Sequence, residues 1–201
     1  MIVIGVPTTG AIPTRVVGSI ENVLLNRQGV APFYVTGSLV YDARARIVNY
    51  ALEKGADLLF VDSDIEFGLD AFDKLVWRDA DIVSGLYYGR HEGHNGPIAY
   101  KSIQPKTLFK KAGYEVITEI KPYMEVAGAG LGFCLIKNKV LKSFNSDKEN
   151  PFEPFGGLGE DFSFFLRCKK KGYKCMLDTT FTLNHLGEYA YSAKDYGGLS
   201  K

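Results

Sequence analysis

Ala56-Asp57-Leu58-Leu59-Phe60-Val61-Asp62-Ser63-Asp64-Ile65 is the stretch whose reading decides the fold. The run Leu58 to Val61 lacks the polar alternation of a half-exposed strand, and predicts a strand buried on both faces, as in a parallel sheet covered by helices. It ends abruptly in two carboxylates separated by one serine. Such a strand delivers them to the carboxyl edge of the sheet, where open α/β sheets bind ligands. Two anions this close repel each other unless something positive lies between them, and a hard divalent cation with oxygen ligands is the simplest occupant.

Upstream, Ile2 to Val6 predicts a first strand that stops at Pro7-Thr8-Thr9-Gly10. Pro13 suits the opening of a helix in which Val16, Ile20, Val23 and Leu24 recur at helical spacing before Gly29. Ala31 to Thr36 is a second strand, followed by a helix with an Ile47, Val48, Ala51 and Leu52 stripe ending at Lys54-Gly55. Downstream, Leu69 to Trp77 reads as a short helix and Asp81 to Ser84 as a fourth strand. This alternation predicts βαβ units and a mostly parallel sheet.

From His91 to Met124 the chain is polar and punctuated by Gly and Pro, with β-like pieces at Pro97–Tyr100 and Tyr114–Thr118. It reads as an insertion that shapes a pocket. A strand at Phe133–Lys137 follows, then a loop from Phe144 to Gly159 read as an active-site flap or binding loop. Glu160 and Asp161 open a helix that closes in Arg167, Lys169, Lys170 and Lys171 before Gly172, a charge order that suits the helix dipole. Strands are expected at Lys174–Leu177 and Phe181–Asn184, and Tyr191 to Lys201 reads as a tail.

Composition narrows the class. A chain of 201 residues, 46% hydrophobic and 23% charged, has the length and make-up of one ordinary globular domain. With 24 Lys+Arg against 23 Asp+Glu, the net charge of +1 offers no basic field for nucleic acid. Cys134, Cys168 and Cys175 are odd in number and lack C-x-x-C spacing, which argues against a disulfide framework or structural zinc and favours a cytoplasmic location. The N-terminus is too short and lacks the basic residues for a signal peptide. No apolar run approaches the ~20 residues of a transmembrane helix.

In their order, these motifs resemble the glycosyltransferases of the GT-A fold, within them short family-2-like enzymes. The resemblance is carried by Ala43-Arg44, by Asp62-Ser63-Asp64 as a DxD motif, and by Ser84-Gly85-Leu86-Tyr87 as the glycine loop. Further along come Gly130-x-Gly132, Gly159-Glu160-Asp161 as an xED motif, and Asn184-His185-Leu186-Gly187 with a late histidine. It implies a Rossmann-like, mostly parallel sheet flanked by helices, as one catalytic domain over residues 1–188 with a tail at 189–201. It also implies transfer of a sugar from a nucleotide-diphosphate sugar, UDP-sugar favoured, to a carbohydrate or glycoconjugate hydroxyl, with Mn2+ or Mg2+ as cofactor. In that reading Asp64 binds the metal, Asp62 the metal or the ribose, and His185 adds a ligand through a neutral ring nitrogen. Asp161 is the general base and Glu160 orients the acceptor or the base. Thr8, Arg44, Ser63 and Gly85 belong to the donor site; the Asn that similar proteins place after the arginine is Ala45 here, which keeps Arg46 a candidate beside Arg44.

Other readings share the pattern. Asp and Ser favour turns after strands, carboxylates favour helix N-termini, and a lone histidine is commonly half-buried without a ligand. A retaining transferase would use the same metal site, and a binding module without turnover would keep every motif. A nucleotidyltransferase would carry a Gly-rich basic loop after strand one, whereas Pro7 to Pro13 holds no Lys or Arg. Gly128-x-Gly130-x-Gly132 precedes a strand and opens no helix, so it is no dinucleotide fingerprint; it lets backbone pass close to sugar or acceptor. His91 and His94 receive no role. Tyr87, Tyr88, Phe152, Phe155 and Trp77 divide between a sugar-stacking face and core anchors.

Overall fold

The structure, a computed structural model, describes residues 1–90, 95–108, 110–146 and 149–187. His91, His94 and the tail expected over 189–201 lie outside the described residues. The elements in order are β1 (Ile2–Thr8), α1 (Thr14–Asn26), β2 (Val30–Thr36), α2 (Val40–Glu53), β3 (Asp57–Val61) and β4 (Ile65–Phe67). There follow α3 (Leu69–Trp77), β5 (Ile82–Gly85), β6 (Ala99–Gln104), β7 (Gly113–Val116), β8 (Tyr123–Val126) and β9 (Gly128–Ala129). The chain closes with β10 (Phe133–Ile136), α4 (Asn138–Ser146), α5 (Glu160–Lys170), β11 (Cys175–Asp178) and β12 (Leu183–His185).

Seven strands form the central sheet in the order β2-β1-β3-β10-β5-β11-β8. β1, β2, β3, β5 and β11 run one way, while β10 and β8 run against them. The expected two-sided burial of β3 is met residue by residue. Leu58 and Phe60 enter a core covered by α2, α4 and α5, and Leu59 and Val61 enter another covered by α1 and α3. That double burial explains why the strand reads as an unbroken apolar run.

Two small sheets shape the carboxyl edge. β4 pairs antiparallel with β12, setting Ile65 opposite His185, and β6 lies between β7 and β9 in a three-stranded piece that joins the insertion to Gly128-Ala129 beyond it. The expected loop from Phe144 starts later than the sequence suggested, because Phe144 is a buried residue of α4. Nor is its second half a free flap. Phe152 is fully buried, stacked on Phe164 at 5.1 Å and edge-on to Phe60 at 5.5 Å. Cys134, Cys168 and Cys175 are free and buried. Among the described residues no helix is long and apolar enough to cross a membrane.

Candidate active site

At the carboxyl ends of β1 and β3 opens a cleft of about 210 Å³, lined among others by Thr8, Arg44, Asp62, Ser63, Asp64 and Glu160. A larger hollow of about 310 Å³, lined by Met124, Phe165 and Cys168, lies by β8 and β11 at the other edge of the sheet and holds none of the predicted residues.

Arg44 is the buried charge of this cleft. α2 turns its side chain inward, the guanidinium lies 5.0 Å from the Phe60 ring, and only 2% of the side chain is exposed. Nη2 donates to Asp62 Oδ1 at 3.0 Å and stands 3.8 Å from Asp161 Oδ1. Burial disfavours the charged guanidinium, but Asp62, Asp161 and Glu160 hold its pKa above the ordinary value. Arg44 Nε and Nη1 and Asp161 Oδ1 are buried with no hydrogen-bond partner among the described residues. Unmade bonds of this kind cost free energy, so a native site that keeps them has polar capacity in reserve.

Asp161, in the first turn of α5, accepts a hydrogen bond from the Leu131 amide at 3.2 Å. Burial pushes its carboxyl up to about 7; Arg44 pulls it down, while Glu160 and Asp62 push it up. Burial likewise raises Asp62 against the pull of Arg44. The Gly130-Leu131-Gly132 turn joins the two acids. Gly132 accepts the Asp62 amide at 2.8 Å, and its own amide donates to the Tyr87 hydroxyl at 3.1 Å. A Cβ at Gly130 would lie 1.9 Å from that hydroxyl, so the close approach of backbone to Tyr87 requires glycine.

Asp64 faces a different pair. His185 Nδ1 is 2.7 Å from the Tyr88 carbonyl, which can only accept, so Nδ1 carries the proton and Nε2 faces Asp64 Oδ2 at 3.6 Å. Arg90 Nη2 reaches the same Oδ2 at 2.9 Å. Burial raises the Asp64 carboxyl, but His185 and Arg90 outweigh it and hold it below the usual value. The pairing of β4 with β12 fixes this corner, because the Leu186 amide donates to the Asp64 carbonyl at 2.7 Å.

The cleft thus gathers Thr8, Arg44, Asp62, Ser63, Asp64 and Glu160, with Asp161 beside Arg44 and His185 beside Asp64. Thr8 is buried, and its carbonyl already accepts the Gly37 amide at 3.1 Å. Two predicted donor residues stand apart. Arg46 is exposed on α2 and does not line the cleft. Gly85 faces the core, where a Cβ would meet Phe181, Leu183 and Phe133 at 2.7 to 3.0 Å; its lack of a side chain makes room for their packing. The expected metal trio is not assembled. Among the described residues no three His, Cys, Asp or Glu side chains are grouped to hold an ion. The physical reason is that Arg44 draws Asp62 and Arg90 covers Asp64. The sequence alone assigns no role to Arg90 or to the Leu131 amide; the one visible signal is an arginine closing the Tyr87-Tyr88-Gly89 segment that follows the buried strand β5.

Neither a protein-family model nor a curated protein sequence matches the chain. Solved structures do. A197 from STIV superposes with a TM-score of 0.68 at 21% identity, over 96% of this chain and 91% of that one. GalNAc-T7 with UDP, GalNAc and Mn2+ gives 0.57 at 10% identity, over 100% of this chain, which spans 45% of that one. S. aureus TarS 1-349 gives 0.46 at 15% identity, over 95% of this chain and 59% of that one. The fold is therefore GT-A-like: a mixed α/β domain with a central, mostly parallel sheet between helices, of the kind found in glycosyltransferases. At these identities the likeness defines the fold and nothing finer.

Proposed function

We propose that the protein is a metal-dependent glycosyltransferase that moves a sugar from a nucleotide-diphosphate donor, UDP-sugar favoured, to an acceptor hydroxyl with inversion. The observation that carries this reading is the position of Asp161. Its carboxyl is raised to about 7 and has a buried, unpartnered oxygen, beside a cleft whose floor is Asp62-Ser63-Asp64. A carboxylate poised near neutrality is suited to general-base work.

The donor set fits a divalent ion at one corner. Asp64 offers a carboxylate and His185 an imidazole nitrogen freed by the Tyr88 carbonyl, a mixture that suits Mn2+ better than the all-oxygen preference of Mg2+. Asp64 and His185 would hold the ion, and Asp62 would join them only by turning from its ion pair with Arg44. When bound, it supplies a Lewis acid against the charge that develops on the leaving diphosphate. Asp161 accepts the proton of the acceptor hydroxyl as that oxygen bonds to the anomeric carbon, and the bond from that carbon to the phosphate oxygen breaks with its electrons leaving on the diphosphate. Arg44 keeps enough of Asp161 ionised against the pull of burial, and Glu160, at the cleft wall, orients the acceptor. Thr8 at the end of β1 holds the nucleobase edge of the donor.

The test is incubation with UDP-, GDP- and TDP-sugars, with and without Mn2+, followed by NMR of the anomeric proton. Mn2+-dependent release of UDP with an inverted anomer is expected. A retained anomer moves Asp161 out of the base role. A metal-independent reaction, or release of pyrophosphate from a nucleoside triphosphate and a sugar phosphate, overturns the reading.

A further inference from the structure

Three aromatic rings beside Asp161 take no part in the chemistry above. Tyr100 on β6 lies 4.6 Å from Phe162 and 5.0 Å from Tyr114 between ring centroids, both edge-on, and Tyr114 on β7 lies 5.0 Å from Phe162 at 36°. Phe162 follows Asp161 directly in α5. Tyr100 pairs with Gly128 on β9, from which the chain passes straight into the turn whose Leu131 amide holds Asp161. The cluster and the carboxylate are therefore positioned by the same two elements. Burial pushes the Tyr100 hydroxyl up to about 12, with Tyr114 and the Asp161 charge adding to it, in keeping with that proximity.

Strand register explains how the rings meet. Directly opposed residues share a sheet face, so Tyr100 opposite Val116 and Ile103 opposite Tyr114 all lie on one face. Residues three apart on a regular strand would face opposite ways. The register shift between Tyr100 and Ser102 re-aims Tyr100 to Tyr114, which is the use to which bulges beside functional sites are put. Burial is graded outward: Tyr100 is 9% exposed, Phe162 half-buried and Tyr114 57% exposed. The outermost ring sits on a strand that pairs with β6 alone among the described residues, and two anchored rings hold it in place.

We infer that Tyr114, backed by Phe162 and Tyr100, is the acceptor platform, and that its occupant is a pyranose ring of a carbohydrate acceptor; this rests on Asp161 being the transfer base. The apolar C–H face of a pyranose carries slight positive charge and matches the negative face of an aromatic ring. Its rim of hydroxyls needs a carboxylate at one edge, and Asp161 supplies it. A sugar laid on Tyr114 buries its face and turns a hydroxyl edge to Asp161, where that hydroxyl meets the anomeric carbon of a donor held in the cleft.

The test is binding of wild type, Tyr114→Ala and Tyr114→Phe to a glycan array in the presence of UDP and Mn2+, with UDP affinity of each protein measured by calorimetry. Retention of a set of glycans by wild type is expected, weakened roughly three- to tenfold in Tyr114→Ala and kept in Tyr114→Phe, at equal UDP affinity. No glycan retained by wild type, or glycans held equally by Tyr114→Ala, overturns the platform. Its fate is separable from that of the transfer reading. UDP bound without Tyr114-dependent glycans removes the platform alone, whereas Tyr114-dependent glycans without UDP affinity remove the transferase and leave a carbohydrate site.

Discussion

Arg90 Nη2 lies 2.9 Å from Asp64 Oδ2, and the same guanidinium donates to the Leu186 carbonyl. Arg90 thus stands as an internal cation on the carboxylate proposed to bind a metal ion. In that proposal ion and arginine compete for one oxygen, and the pair is partly exposed, a class of interaction worth about 0.2–1 kcal/mol. Arg90→Ala is expected to bind Mn2+ about two- to fivefold more tightly in the absence of nucleotide, read by electron paramagnetic resonance of the free ion. Equal or weaker binding would show that Asp64 is not where the ion sits.

In the proposed reaction Asp161 sets the pH dependence of transfer. A general base works ionised, and a carboxyl raised to about 7 loses its proton through neutrality, so kcat/KM is expected to rise through pH 7 and level off above it. Asp161→Asn removes the base while keeping an amide oxygen for the Leu131 N–H. A loss of about 10²–10⁴-fold in rate is expected, with no acid limb in the residual activity. A variant that keeps the wild-type profile would assign the limb to another group.

The same carboxyl makes stability fall as pH rises. Folded Asp161 keeps a proton that the unfolded chain gives up above about pH 4, so its contribution is present below that value and is lost as pH climbs to the folded value of about 7. Asp161→Asn lacks this loss. Its melting temperature relative to wild type is expected to rise between pH 5 and pH 8, by a few degrees for a chain of this length. A difference that is flat with pH would mean that the carboxyl is not raised by burial.

Much of this site was legible because strand burial and charge leave local marks. The apolar run before Asp62 announced a two-sided strand, and the helix opening at Glu160 placed both acids at its first turn. What was not legible is long-range. Nothing in the spacing of Phe133–Ile136 tells that β10 slips antiparallel between β3 and β5, since a fully buried strand has no polar face to betray its direction. The claim of Arg44 on Asp62 depends on a rotamer across the sheet edge, and Gly85 reads as a loop glycine until Phe181 and Leu183 are seen to fill its place. The stripe Val140, Leu141, Phe144 did carry the signal of α4, but over so short a helix, with lysines between, that a loop reading competed with it.

Gly130 and Tyr87 tie Asp62, Asp161 and His185 into one frame. A Cβ at Gly130 would stand 1.9 Å from the Tyr87 hydroxyl and 2.4 Å from the ring carbon that bears it, and Ile98 closes the remaining side at 2.9 Å. The buried Tyr87 ring packs edge-on to His185 at 5.4 Å, so yielding would disturb His185, while a shifted Gly132 would pull on the Asp62 amide. Gly130→Ala is therefore expected to destabilise the fold by about 1–3 kcal/mol through overpacking. Tyr87→Ala opens a cavity and is destabilising alone, by about 3–5 kcal/mol if it follows other buried aromatic truncations. Combined, the added methyl enters the space that the ring vacates, and the double variant is expected to lose less than the sum of the two by at least about 1 kcal/mol in chemical denaturation. Strict additivity would mean that the turn and the tyrosine do not touch as described.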